Sequence, residues 1–308
     1  MHTISNTSFG GERPLFKQDH IFLNKVVIHQ GESALKECKN IVSTNCEFEG
    51  KYPFWHNEST KICNCIFREG ARAAIWYCKD MEMKDSIIEA PKMFREIDGL
   101  KADNVTFNNA QETFWYCKNL TLTNLKFQNA DYIFIKNSKI SIDNIEMNGN
   151  YSFQYCQNVT IKNSIIRSKD AFWNSENVTI YDSEIIGEYL AWHSKNLKLV
   201  NCKISGTQPL CYCHDLTMEK CTMEESCDLC FEYSTLKADV HSIIKSIKNP
   251  ASGQIIIDDC KEIIIDENVK EPNNCKIIKR TENINTQNST QNTEIDQINR
   301  SYNYIYSE

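Results

Sequence analysis

A large apolar residue recurs along this chain every 19 to 21 residues, and that repeat constrains the fold more than any other feature. Leu35, Phe54, Ile75, Phe94, Phe114, Phe134, Phe153, Phe172, Ala191 and Leu210 form this anchor column. Four residues earlier each unit carries a small residue, from Gly31, Gly50 and Ala71 to Ser168, Gly187 and Gly206. Six later stand mostly aliphatic residues such as Ile41, Leu100, Leu120, Ile140, Val159 and Leu197. Ten later the residue is nearly always Asn or Asp, as at Asn45, Asn64, Asp85, Asn104, Asn124, Asn144, Asn163, Asp182 and Asn201.

The repeat is too short for a helical array, whose units need about 33 residues or more. Its segments alternate with period two, as in Val159-x-Ile161 and Leu197-x-Leu199, and are rich in β-formers. Short strands and turns fill such a unit, so the expected fold is all-β: a single-stranded, right-handed parallel β-helix of about 10–11 coils of 19–20 residues. Like residues then stack on like, with an apolar interior and an asparagine ladder at one turn. The register places an N-terminal cap and degenerate first coil at 1–30 and regular coils at 31–245. A C-terminal coil or cap is expected at 246–280, and a disordered polar tail at 281–308.

Composition narrows the function. The 308-residue chain carries a net charge of −7, which argues against a nucleic-acid or anionic-membrane partner. No apolar run approaches the roughly 20 residues that span a bilayer. Residues 1–10 (MHTISNTSFG) lack a basic start and an apolar core, so they do not read as a secretory leader. Fifteen cysteines in that setting point to a reducing cytoplasm. Cys211, Cys213, His214, Cys227 and Cys230 have the look of a zinc cluster. The repeat argues otherwise, because Cys213 shares a column with Cys38, Cys78, Cys117 and Cys156. Alternation would also point Cys211 and Cys230 to opposite faces. Packing thiols are expected, with no metal and no cofactor.

The segments GESALKE (31–37), ARAAIWY (71–77), APKMFRE (90–96), GNYSFQ (149–154), KDAFWN (169–174), GEYLAW (187–192) and GTQPLC (206–211) resemble a family of uncharacterised bacterial and protist proteins. That family lies within the pectin-lyase-like right-handed β-helices, and the resemblance covers about residues 9–270. It implies the fold and carries over no catalytic residue. Motifs of the wider superfamily's polysaccharide hydrolases and lyases are mostly missing: the only Asp-Asp is Asp258-Asp259, and Gly-His-Gly is absent.

One residue after the anchor stand Lys36, Trp55, Trp76, Arg95, Trp115, Ile135, Gln154, Trp173, Trp192 and Cys211, a column that holds all five tryptophans. Its polar members place it on the outer surface. The reverse parity, with the indoles in the core, stays open, because Lys92, Glu112 and Asp170 stand two residues before the anchor. Outward parity would bring the column from Ala34, Pro53 and Ala74 to Leu190 and Pro209 onto the same face. It would also bring the polar column that includes Glu32, Lys51, Arg72, Asp131, Lys169 and Glu188.

Aligned indoles beside charges suit a sugar polymer, since indole faces stack on pyranose rings while Arg72, Arg95 and Gln154 hold hydroxyls or uronates. Glu112, Asp131, Asp170 and Glu188 are the candidate catalytic carboxylates for hydrolysis or elimination. Equivalent residues one coil apart sit about 5 Å apart, within the range that glycosidases use. The bland reading pairs these carboxylates with Lys92 and Lys169. The expected function is therefore carbohydrate binding, with action on a glycan as its extension. The alternative is a non-catalytic interaction scaffold whose aromatic face binds another protein or a second copy of the chain.

Overall fold

The computed structural model describes residues 1–267 and 269–280, and among them it is a parallel β-helix of strands and turns. The tail expected at 281–308 lies outside the described residues. The ladder starts at the strand His2–Glu12, which pairs with Ile21–Glu32. It ends where Ser252–Ile264 pairs with Cys275–Lys279. In between, Leu100 lies opposite Leu120, Leu120 opposite Ile140, Ile140 opposite Val159 and Val159 opposite Val178. The columns of the sequence are thus the vertical stacks of the solenoid.

Stacking makes the core. The rings of Phe94, Phe114, Phe134, Phe153 and Phe172 follow one another at centroid distances of 4.8, 4.7, 4.5 and 4.8 Å, nearly parallel. This matches the inter-strand spacing of about 4.8 Å, so each ring adds face-to-face contact to its burial. The small column four before the anchor is needed because coils touch there. A Cβ on Gly206, whose φ is +121°, would lie 2.1 Å from the Gly187 carbonyl oxygen.

The corners are turned by left-handed residues. Asn45, Asn64, Asn104, Asn124, Asn144, Asn163 and Asn201 have φ between 50° and 56°, a region that Asn tolerates better than most residues. Their amides bond vertically: Asn45 Nδ2 donates to Asn24 Oδ1 at 3.1 Å, and Asn144 Nδ2 to Asn124 Oδ1 at 2.7 Å. A second ladder runs five residues after the anchor, where Asn196 donates to Asn177 at 2.8 Å, and Asn119 in this column donates to Asp98, four residues after its anchor, at 2.6 Å.

Left-handed residues also correct one expectation. The column just before the anchor was expected outside with the tryptophans. Ala34, Ala74, Met93, Thr113, Ile133, Ser152, Ala171 and Leu190 are instead all buried, as are Pro53 and Pro209. Tyr52, Lys92, Glu112, Tyr132, Tyr151 and Tyr189 precede them with φ between 52° and 60°. Each such residue resets the alternation, so side chains point outward and inward in pairs. The residue before the anchor and the anchor face in, and the next two face out. Cys211 departs from its outward column and is fully buried, as is Cys230. Cys230 precedes Phe231, which takes the anchor place above Leu210 because the intervening gap is longer, so the two thiols do not face opposite ways.

All the cysteines are free thiols, and only Cys63 is not buried. Many of their S–H groups donate to carbonyls of the preceding coil, as Cys156 does to Phe134 O at 2.9 Å. Burial pushes the Cys117 and Cys156 thiols up to about 12. A thiol-titrating reagent should therefore find Cys63 fast in the native protein and all 15 cysteines only after denaturation. Phe134→Ala, which breaks the ring stack, should cost about 3–5 kcal/mol of unfolding free energy in urea titration.

Candidate ligand-binding face

The paired turns put the tryptophan column outside. Trp55, Trp76, Arg95, Trp115, Ile135, Gln154, Trp173 and Trp192 are each partly exposed beside fully buried anchors. Four of the five indoles are fixed along the solenoid axis by their N–H groups, which donate to the carbonyl two residues before the next coil's anchor. Trp55 Nε1 bonds Ala73 O at 2.8 Å, Trp76 Nε1 bonds Lys92 O at 2.8 Å, Trp115 Nε1 bonds Tyr132 O at 2.6 Å and Trp192 Nε1 bonds Gln208 O at 2.8 Å. Gln154 Nε2 reaches the equivalent carbonyl, Asp170 O, at 3.4 Å.

This orientation stacks the rings on one another. Trp55 and Trp76 are parallel at 5.3 Å, and the Arg95 guanidinium lies between Trp76 and Trp115, 4.3 and 4.7 Å from their ring centroids. Arg95 Nε is buried without a hydrogen-bond partner among the described residues, so stacking holds the side chain there. Trp173 and Trp192 form a second block at 5.9 Å. Trp55 and Trp76 thus share a face, whereas Trp173 and Trp192 meet at a tilt of 47°.

The face is interrupted once, between the blocks. Ile135 and Gln154 occupy the column there, and their side chains are shorter than an indole. Arg95 lies over Trp115 and Trp192 packs tilted beside Trp173, and on the other side their neighbours in the column are Ile135 and Gln154. The two indoles are three coil steps apart, about 14 Å at the ladder spacing. Tyrosines flank the gap. On one side Tyr132 and Tyr151 stack at 4.8 Å. On the other, Lys136 sits 5.7 Å from the Tyr116 ring and 5.8 Å from that of Tyr155. Tyr116, Tyr132 and Tyr155 are 49%, 45% and 48% exposed, more than any tryptophan. Sequence reasoning missed these tyrosines as part of the face. Their recurrence two residues before and after the anchor was visible, but strict alternation assigned those columns elsewhere.

The four candidate carboxylates fall into two neighbouring-coil pairs. Glu112 N–H donates to Asp131 O at 3.0 Å and Asp170 N–H to Glu188 O at 2.9 Å. Glu112 pairs with Lys92 Nζ at 2.8 Å. Asp131 Oδ1 accepts from Asn150 N at 2.7 Å and from Asn150 Nδ2 at 3.2 Å. Glu188 lies 3.6 Å from Lys169 Nζ. Asp170 differs: it is 6% exposed, and among the described residues nothing donates a hydrogen bond to its carboxylate. Burial raises its pKa, an effect opposed by Lys169 and reinforced by Glu188. Arg72 stands exposed in the column three before the anchor. No group of three or more His, Cys, Asp or Glu among the described residues could hold a metal ion. No helix among them is long and apolar enough to cross a membrane.

A family model described as "Protein of unknown function (DUF3737)" matches residues 2–278. No curated protein matches the chain. Among solved structures, a double mutant of the periplasmic alginate epimerase AlgG matches at 8% identity, covering 90% of this chain and 74% of that one, with a TM-score of 0.31. The A-module of the Azotobacter vinelandii mannuronan C-5 epimerase AlgE4 matches at 10% identity, covering 90% and 87%, with a TM-score of 0.25.

Two outcomes test this geometry. Arg95→Ala should destabilise the fold by about 1–2 kcal/mol in urea titration, with a change in tryptophan fluorescence as Trp76 and Trp115 lose the intervening cation. Asp170 has a raised pKa in the folded state, so its ionised form opposes folding at pH values above that pKa. Asp170→Asn should therefore stabilise the protein at neutral pH. The gain should shrink as pH falls and the wild-type carboxyl becomes protonated in both the folded and unfolded states.

Proposed function

The chain belongs to the DUF3737 family, and for this member we propose that the aromatic face binds a carbohydrate polymer at the interruption between Trp115 and Trp173. The observation that carries this reading is the break in the ring stack between Trp115 and Trp173, where the column holds Ile135 and Gln154 in place of an indole. Elsewhere in the column the indoles pack on each other or on Arg95. In the gap, pyranose rings lie against Trp115 or Trp173. The Gln154 amide, the Tyr132 and Tyr151 rings and the Tyr116–Lys136–Tyr155 column surround them with polar and aromatic contacts. Trp115 and Gln154, fixed by their own hydrogen bonds, lose little entropy when a ligand arrives, which favours recognition.

The reading is binding rather than turnover. Glu112, Asp131 and Glu188 are engaged by Lys92, Asn150 and Lys169, which leaves Asp170 without the second free carboxylate that glycoside hydrolysis uses.

A glycan array probed with the purified chain tests this, followed by calorimetry on the best oligosaccharide. Trp115→Ala and Trp173→Ala should each weaken binding at least tenfold, about 1.4 kcal/mol. Trp55→Ala, remote from the gap, should leave binding within twofold. Absence of any glycan binding by the folded protein, or unchanged affinity in both gap variants, would overturn the proposal. Concentration-dependent self-association abolished by the same variants would instead assign the face to a second copy of the chain.

A further inference from the structure

Resting on the carbohydrate reading, we infer that the polymer carries primary ammonium groups, an amino sugar, and that Asp170 receives one of them between the rings of Tyr151 and Tyr189. These three residues occupy the same column, two before the anchor, in consecutive coils. Tyr132 and Tyr151, one coil apart, stack at 4.8 Å, so Tyr151 and Tyr189, two coils apart, are separated by about 9–10 Å. A short aspartate thus stands between two tyrosines in this column, a carboxylate flanked by aromatic residues. That is the chemistry of a cation receptor: ring faces attract ammonium groups, and a desolvated carboxylate pairs with them strongly.

Two further observations favour a cationic partner. Asp170 is 94% buried as a residue, no described residue donates a hydrogen bond to its carboxylate, and its carboxylate oxygens are not among the sealed, partnerless atoms, so they remain reachable by a charged partner. The site also already attracts an ammonium of this chain. Lys169 Nζ lies 5.1 Å from the Tyr189 ring centroid while reaching Glu188 at 3.6 Å, and its side chain remains 43% exposed and able to swing away. The site adjoins the gap directly, because Gln154, which stands in the gap, donates its amide to the Asp170 carbonyl at 3.4 Å. A polymer lying in the gap therefore passes the site.

Calorimetric titration with hexamers of glucosamine, N-acetylglucosamine and glucose tests the inference. The wild-type chain should bind the glucosamine hexamer at least tenfold tighter than the other two. Asp170→Asn, which keeps the shape and should fold with greater stability, should lose that preference while retaining its affinity for the neutral hexamers. Lys169→Gln, which removes the competing ammonium, should tighten glucosamine binding. If the wild type binds all three hexamers equally, or Asp170→Asn keeps the preference, this inference falls and the carbohydrate reading stands. If the folded protein binds none of the three and no other glycan, both fall.

Discussion

The vertical hydrogen-bond ladder between coils governs everything else in this molecule. Parallel pairing fixes neighbouring coils at one spacing, and that spacing is close to the distance at which planar side chains stack. Once Phe134 sits 4.7 Å above Phe114 and 4.5 Å below Phe153, the same geometry acts on every other column. It stacks Trp55 on Trp76, Tyr132 on Tyr151 and Asn144 on Asn124. Core and surface are products of one translation. A residue's role follows from the column it stands in and from what stands directly above and below it.

The second determinant is the frequency of left-handed backbone. At the asparagine corners this conformation is tolerated, but Phe114, Phe134, Phe153 and Phe172 also have φ between 57° and 61°. For an aromatic residue that costs about 1–2 kcal/mol, and the continuous ring stack offsets it. The gain is geometric: adjacent residues point inward or outward in pairs, so one narrow turn presents two columns to solvent. Trp115 and Tyr116 are such a pair, and so are Trp192 and His193. A face dense in aromatic side chains is possible because the backbone here does not alternate.

Much of this was legible in the sequence because a stacked repeat writes its contacts as columns. The small, anchor and asparagine columns each identified their place, and the polar Lys36, Arg95 and Gln154 correctly put the tryptophans outside. Alternation then failed at Ala74, Met93 and Ile133, since no residue type in that column signals a left-handed neighbour as plainly as asparagine does. The stacking of the indoles was also illegible. It depends on the direction each ring takes to reach a carbonyl one coil away, and Arg95 and Gln154 look equally like surface groups until those directions are known. Asp170 was one of four equal candidate carboxylates, and the difference between it and the other three emerged only when their partners were in place.

The interruption at Ile135 and Gln154 spans whole coils, because the ladder allows the column no other increment. The surface is therefore a ruler with fixed graduations. Removing one repeat would bring Trp115 and Trp173 one graduation closer and leave every vertical contact outside the cut intact. Adding one would lengthen the gap by the same amount. Related chains could thus change the length of ligand they accommodate in discrete steps, by gaining or losing a repeat, without redesigning any single side chain.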